Sequence, residues 1–285
     1  MRIDSHIHLY DPSRPEGVPW PPERIEKLYR PHLPADFAAV SANSGITHAI
    51  VVEASDRPSD NQWLLQLAKA TPEIIGVVGN LDPRDPAFDT LLAEFARDPK
   101  AVGIRPRLDP PPSLADPEVA ARLATLAAYQ LTLELNVNLF PLEEIVPFAE
   151  ANPDLRIVIG HLAGARLVND GIRLEERQQL ERLGQLPNTF CKLSAFYHAS
   201  GENPAPTGPE PYANLIRAMV EAFGPERVFF GSNWPVSSLR GPYAPLPKIV
   251  DAYFSIHHPE FARAVFYENP LRAFGLDRLE EIPED

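Results

Sequence analysis

A single cysteine, Cys191, in 285 residues leaves no partner within the chain. That excludes an intrachain disulfide and any cysteine-rich zinc site. Positive charge is also scarce. Lys and Arg total 26 against 39 Asp and Glu, a formal net charge of -13. A broad basic face is therefore excluded, which argues against nucleic acid and against an anionic membrane surface as partners. No apolar run reaches the length needed to span a bilayer. The opening MRIDSHIHLYDP lacks a basic stretch followed by a long apolar one, so it does not read as a secretory signal. The expectation is a soluble, cytoplasmic protein. Glycine is sparse at 15 residues, whereas proline reaches 33. Proline is thus roughly 12 % of the chain, over twice ordinary usage, yet Pro and Gly together fall short of the disordered range. The prolines punctuate an ordered chain, marking loops and helix starts. With 44 % hydrophobic and 23 % charged residues, the chain has a real core, and its length suits one domain over 1–285.

Two kinds of segment alternate. Short runs rich in Val, Ile, Leu and Phe read as buried strands, over residues 2–9, 47–54, 74–81, 101–108, 131–138, 156–163, 189–195 and 227–234. Ala/Leu/Glu/Arg-rich stretches at helical spacing lie between them, over 34–44, 60–70, 86–97, 117–130, 141–151, 171–183 and 211–223. Further helices are expected over 246–256, 259–267 and 270–274. Asp85 and Asp116 stand where N-caps belong, just before a proline. Repeated strand–helix order predicts an α/β fold with a parallel sheet. Eight units in this length fit a closed (β/α)8 TIM barrel. Two long connections, 10–34 and 196–211, would then lie on the carboxyl face, where active sites form. Trp20 and Tyr29 suggest that the first is a partial lid.

The chemistry concentrates at strand ends. In Asp4-Ser5-His6-Ile7-His8, residues at i and i+2 share a face, so His6 and His8 point into the barrel mouth with Asp4 one layer deeper. Two imidazoles so placed can ligate one divalent metal, zinc by their donor type. The sixth strand delivers His161, a candidate third ligand, general base or donor to substrate oxygen. The second ends in Glu53, which can join the metal, orient a histidine or pair with an arginine. Arg105 and Arg107 share a face of strand four and suit a carboxylate, or neutralise Glu53 or Glu134. Strand five offers Glu134, Asn136 and Asn138, of which at least one should face the pocket. Lys192 reads as an ion-pair partner, and Cys191 as packing. Tyr197, His198 and Trp234, beyond strands seven and eight, complete the expected substrate-binding set.

Together these motifs resemble the amidohydrolase superfamily, and within it the lactonase branch that includes fuconolactonase-like and 2-pyrone-4,6-dicarboxylate lactonase-like enzymes. The resemblance rests on residues 3–12, 46–54, 75–81, 103–105, 153–164, 191–194 and 230–236. It implies a distorted barrel that hydrolyses a small polar or anionic lactone. His6 and His8 match the family's first-strand pair, and His161 its sixth-strand histidine. Asn233 stands where the wider superfamily has an aspartate; it cannot ionise, and can only hydrogen-bond or offer a neutral oxygen. The strand-five histidine of binuclear members is absent, which points to one metal on His6, His8 and Glu53, or none. Catalysis would fall to His161, Asn233 and Glu53. The rival readings are a metal-dependent decarboxylase of the same fold and a catalytically silent barrel that binds a metabolite. The expected partner is a small molecule, with a homo-oligomer as a further possibility.

Overall fold

The computed structural model describes residues 1–167 and 174–277. Eight strands follow one another around a single parallel sheet: β1 (Ile3–Ile7), β2 (His48–Val52), β3 (Ile74–Gly79), β4 (Ala101–Ile104), β5 (Thr132–Leu135), β6 (Ile157–Ile159), β7 (Thr189–Leu193) and β8 (Val228–Phe230). The ring closes just beyond the last strand. Ile7 bridges to Trp234 in parallel. Asn233 N–H donates to the His6 carbonyl at 2.9 Å, and His8 N–H to the Trp234 carbonyl at 2.8 Å. The fold is the expected (β/α)8 barrel.

Its helices are α1 (Pro34–Ser41), α2 (Pro58–Ala70), α3 (Phe88–Phe95), α4 (Pro117–Ala124), α5 (Leu142–Ala151), α6 (Leu174–Gly184), α7 (Phe196–Ala199), α8 (Ala213–Phe223), α9 (Pro245–His257) and α10 (Glu268–Ala273). Local chemistry explains their starts. The Asp116 carboxylate accepts the Glu118 N–H at 2.9 Å, and Pro117 opens α4 at a position with no N–H to satisfy. Proline likewise opens α1, α2 and α9. The helix expected over 259–267 is instead two 3-10 turns, Pro259–Phe261 and Ala264–Phe266. The first residues of the helix expected over 171–183 lie outside the described residues, as do residues 278–285.

Every strand ends earlier than its apolar run. The run over 156–163 yields only Ile157–Ile159, because Leu162 and Ala163 leave the ladder at positive φ of 54° and 49°. Apolar composition marks burial, not hydrogen bonding, so it overshoots wherever a buried loop follows.

Two cores result. Ile7, Val51, Val77, Leu133, Ile159 and Val228 pack between sheet and helices. Ile3, Val52, Val78, Val158, Phe190 and Phe229 point inward and, with Phe274, plug the bottom of the barrel. β1 breaks the alternation: its register against β2 shifts between Asp4 and Ile7. Asp4 consequently does not lie beneath the histidines on their face, as the spacing suggested. Its carboxylate accepts His6 N–H at 3.1 Å, Ser232 N–H at 2.9 Å and the Tyr243 hydroxyl at 2.9 Å, stitching β1 to the chain beyond β8. Burial pushes its pKa up to about 6.

The connection over 10–33 is pinned by paired backbone bonds between Tyr10 and His32, at 3.1 and 2.9 Å. The His32 ring is 2 % exposed and packs edge-on against Tyr10 and Trp234. Burial, assisted by Arg30, lowers its pKa to about 4. The unfolded chain therefore binds a proton here below about pH 6.5 while the folded chain does not, so stability falls as pH drops. Replacing His32 with Phe should flatten the stability curve between pH 7 and 4.5 by about 2 kcal/mol, measured by urea unfolding at each pH. An unchanged slope would show that this ring is protonated in the folded state.

Candidate active site

Above the apolar plug the barrel interior turns polar. Lys192 on β7 and Glu134 on β5 are fully buried and bond at 2.7 Å. Lys192 Nζ also donates to the Ser5 carbonyl at 3.0 Å and lies 3.2 Å from His6 Nδ1. Glu134 Oε1 lies 3.3 Å from the same nitrogen. One edge of the His6 ring is thus set by a lysine and a carboxylate. The other edge, Nε2, lies 3.2 Å from His8 Nε2 and 3.3 Å from Arg105 Nη1. Gly231 makes room for this ring. A Cβ at Gly231 would sit 2.7 Å from the His6 Cβ, closer than real side chains approach.

His8 has a defined tautomer. Its Nδ1 lies 3.0 and 2.9 Å from the carbonyls of Val52 and Glu53, which only an N–H satisfies, so Nε2 carries the lone pair. Asn233 Oδ1 lies 3.3 Å from that Nε2. His161 stands across from His6, with ring centroids 4.7 Å apart, and its Nδ1 is 2.9 Å from Ser194 Oγ. Ser194 belongs to the 191–194 stretch that carries the resemblance, which gives it no role; its position, two residues beyond Lys192 on the same face, is the signal that places it at the site.

Electrostatics keep the histidines neutral. Burial is the leading cause in each case. Lys192 and neighbouring histidines add to it at His6, Arg105 and Arg107 at His8, and Arg105 and Lys192 at His161. The His8 pKa falls to about 3, and those of His6 and His161 lie well below the ordinary range. At neutral pH all three offer lone pairs. Backbone conformation is strained around them. Among the described residues, six non-glycine positions have positive φ, and five are His161, Leu162, Ala163, Ala195 and Asn233, beyond β6, β7 and β8. Asparagine tolerates this conformation better than most residues, which gives Asn233 a backbone reason as well as a chemical one.

The cavity so formed measures about 170 Å³, and its walls include His8, Arg105, Arg107, His161, Asn233 and Trp20. Trp20 covers it as the sequence suggested, its ring 4.9 Å from the Arg107 guanidinium. Tyr29 does not; its hydroxyl donates to Glu23 at 3.3 Å. Glu53 needs correction both as metal ligand and as base. Arg105 stands between it and His6, with Nε on Glu53 Oε1 at 2.7 Å and Nη1 on His6. The carboxylate does not line the cavity. Burial raises its pKa, against the pull of Arg105 and Arg107. Tyr197 and Trp234 are also misplaced by the sequence reading. The positive φ of Asn233 turns its own side chain inward and sends Trp234 outward, against His32 and Phe37. Tyr197 follows Ala195, at φ 60°, into α7 and is fully buried, its hydroxyl donating to the Pro242 carbonyl at 2.8 Å. His198, one residue on, faces an adjoining cavity of about 250 Å³ whose walls also include His161 and Asn233.

Among the described residues no three His, Cys, Asp or Glu side chains cluster as a metal site. Two imidazoles and an amide do converge. Tetrahedral zinc bonds of about 2.0–2.1 Å place two nitrogens about 3.3 Å apart, the spacing of His6 and His8. The donor set therefore fits one divalent ion on His6 and His8, with Asn233 Oδ1 as a neutral third donor.

A family model described as amidohydrolase matches residues 3–276. The chain belongs to the amidohydrolase family. It is 33 % identical over 244 residues to an L-fucono-1,5-lactonase of Burkholderia ambifaria, covering 85 % of this chain and 82 % of that one. An L-fucono-1,5-lactonase of Burkholderia multivorans is 27 % identical over 263 residues, covering 89 % and 88 %. A solved amidohydrolase from Burkholderia multivorans with bound zinc superposes with a TM-score of 0.85 at 25 % identity, over 96 % of this chain and 99 % of that one.

The Glu53–Arg105 pair is nearly dry, with side chains 1 % and 7 % exposed. Removing one partner of such a pair strands the other charge. Glu53→Gln should cost about 3–5 kcal/mol in urea unfolding, and the double variant Glu53→Gln/Arg105→Met should recover part of that loss. A single variant within about 0.5 kcal/mol of the parent would show the pair to be solvated.

Proposed function

We propose that this amidohydrolase opens the ester bond of a small polar or anionic lactone. One observation carries the reading: the neutral imidazoles of His8 and His161 and the Arg105 guanidinium line one cavity, with His6 packed against all three, and its described walls hold no carboxylate. Such a site donates to developing negative charge and accepts a proton, which is what ester hydrolysis requires. The lactonase names of the two Burkholderia relatives support it.

The residues divide the work as follows. Arg105 Nη1, beside His6, is placed to donate to the lactone carbonyl oxygen as it gains charge. Ser194 Oγ holds the His161 ring at Nδ1, 2.9 Å away, and in the Nδ1–H tautomer the free Nε2 accepts the proton of an attacking water. The same nitrogen returns that proton to the ring oxygen as the acyl–oxygen bond breaks. Asn233 hydrogen-bonds the water or the substrate without taking a proton. A base as weak as a desolvated imidazole suffices for an ester, which opens more readily than an amide. His6 and His8 would hold a divalent ion, with Asn233 beside them; when bound, such an ion polarises the carbonyl.

A pH-stat assay over a panel of aldonolactones tests the reading, since lactone opening releases acid. Parent protein should titrate base, and His161→Ala should lose at least about 100-fold in kcat/KM. Failure to open any lactone, or an undiminished His161→Ala variant, would reject the assignment. Release of carbon dioxide instead would identify the decarboxylase alternative.

A further inference from the structure

The cavity behind His161 and Asn233 is not used by the chemistry above. Its described walls include Asn138, Arg166, His198 and Arg240, and none of them is acidic. It shares His161, Asn233 and Val236 with the first cavity, so the two form one trough crossed at its middle by the reacting groups. Arg105 and Arg107 stand on one side of that crossing, and Arg166 and Arg240 on the other. In a chain of net charge -13, the described walls of this trough hold four arginines and no carboxylate; Glu53 behind them offsets Arg105, and Arg166 and Arg240 leave the far end positive.

Arg240 is half-buried and positioned. One Nη1 is spent on the Glu202 carbonyl at 2.7 Å, and its own carbonyl accepts the Ala205 N–H at 2.9 Å. Both bonds tie it to the segment that follows α7, the helix that carries His198. His198 Nδ1 is buried without a hydrogen-bond partner in the protein. Burial, then Arg240 and Arg166, lower the His198 pKa to about 4, so the ring is neutral and adds a donor without adding charge. A buried nitrogen without a partner beside two guanidiniums is costly unless a ligand oxygen completes the set.

We infer that the substrate is a lactone carrying an anionic group, carboxylate or phosphate, on the side away from its carbonyl, and that Arg240, Arg166 and His198 bind that group. This rests on the lactonase reading and narrows its substrate class. With the carbonyl at Arg105 and the ring between His161 and Asn233, the distal group of a sugar-acid lactone falls in the second cavity. A neutral aldonolactone leaves it filled with water.

The test compares D-glucono-1,4-lactone, D-glucaro-1,4-lactone and 6-phospho-D-glucono-1,4-lactone, which share a ring and differ in the terminal group. At least one charged lactone should exceed the neutral one tenfold in kcat/KM, chiefly through KM, and the better of the two names the group. In Arg240→Met, and again in Arg166→Met as an independent variant on the rim, that ratio should fall at least fivefold. Equal use of neutral and charged lactones, or a ratio that both variants preserve, overturns the subsite. Calorimetry with D-gluconate, D-glucarate and 6-phospho-D-gluconate separates the two readings. If no lactone is opened, the hydrolase assignment fails. The subsite then stands only if a charged acid binds at least tenfold tighter than gluconate and loses that advantage in Arg240→Met. Equal binding of all three rejects it.

Discussion

The ion pair between Lys192 and Glu134 governs what the site above it can be. Neither side chain reaches solvent, and the ammonium lies over the rings of Phe229 and Phe274, 5.9 and 5.2 Å from their centroids. Taking two charges out of water costs several kcal/mol each, so the pair contributes less to stability than to specificity. It joins β5 to β7 across the barrel and fixes β1 through the Ser5 carbonyl and His6. Any other inward register of these strands would leave a bare charge in the apolar plug. The position of His6, and the direction in which its Nε2 points, follow from that constraint.

A second neutral pair, Glu53 with Arg105, is stacked above the first, and His6 lies between them. The interior therefore alternates upward from hydrocarbon to paired charge to uncharged imidazole. This order explains how a polar centre survives inside a barrel. Glu134 matches Lys192 and Glu53 matches Arg105, and the described groups that face the cavity include the neutral rings of His8 and His161, the amides of Asn136 and Asn233, and the guanidiniums of Arg105 and Arg107.

Much of this was legible in the sequence, for identifiable reasons. Strand ends on a parallel barrel converge, so the HxH of β1 and the terminal histidine of the sixth strand had to meet once eight units were recognised. Lys192 as an ion-pair partner followed from its place in an apolar run. What escaped was set by backbone geometry that composition does not encode. The register shift in β1 rotates Asp4 away from His6. The positive φ of Asn233 and Ala195 redirects Trp234 and Tyr197 out of the mouth. Glu53 was ambiguous between metal and arginine, because spacing along a strand says nothing of which neighbour arrives first; Arg105, from β4's end, does.

Closure of the ring has a consequence of its own. The two peptide hydrogen bonds that shut the barrel join His6 to Asn233 and His8 to Trp234. The seam of the cylinder and the proposed reactive centre are therefore one structure, made where the chain leaves the first and last strands. Thermal or chemical loosening that begins at this join would silence turnover while the remaining seven strand–strand contacts still hold, so inactivation is the early event and loss of secondary structure the late one.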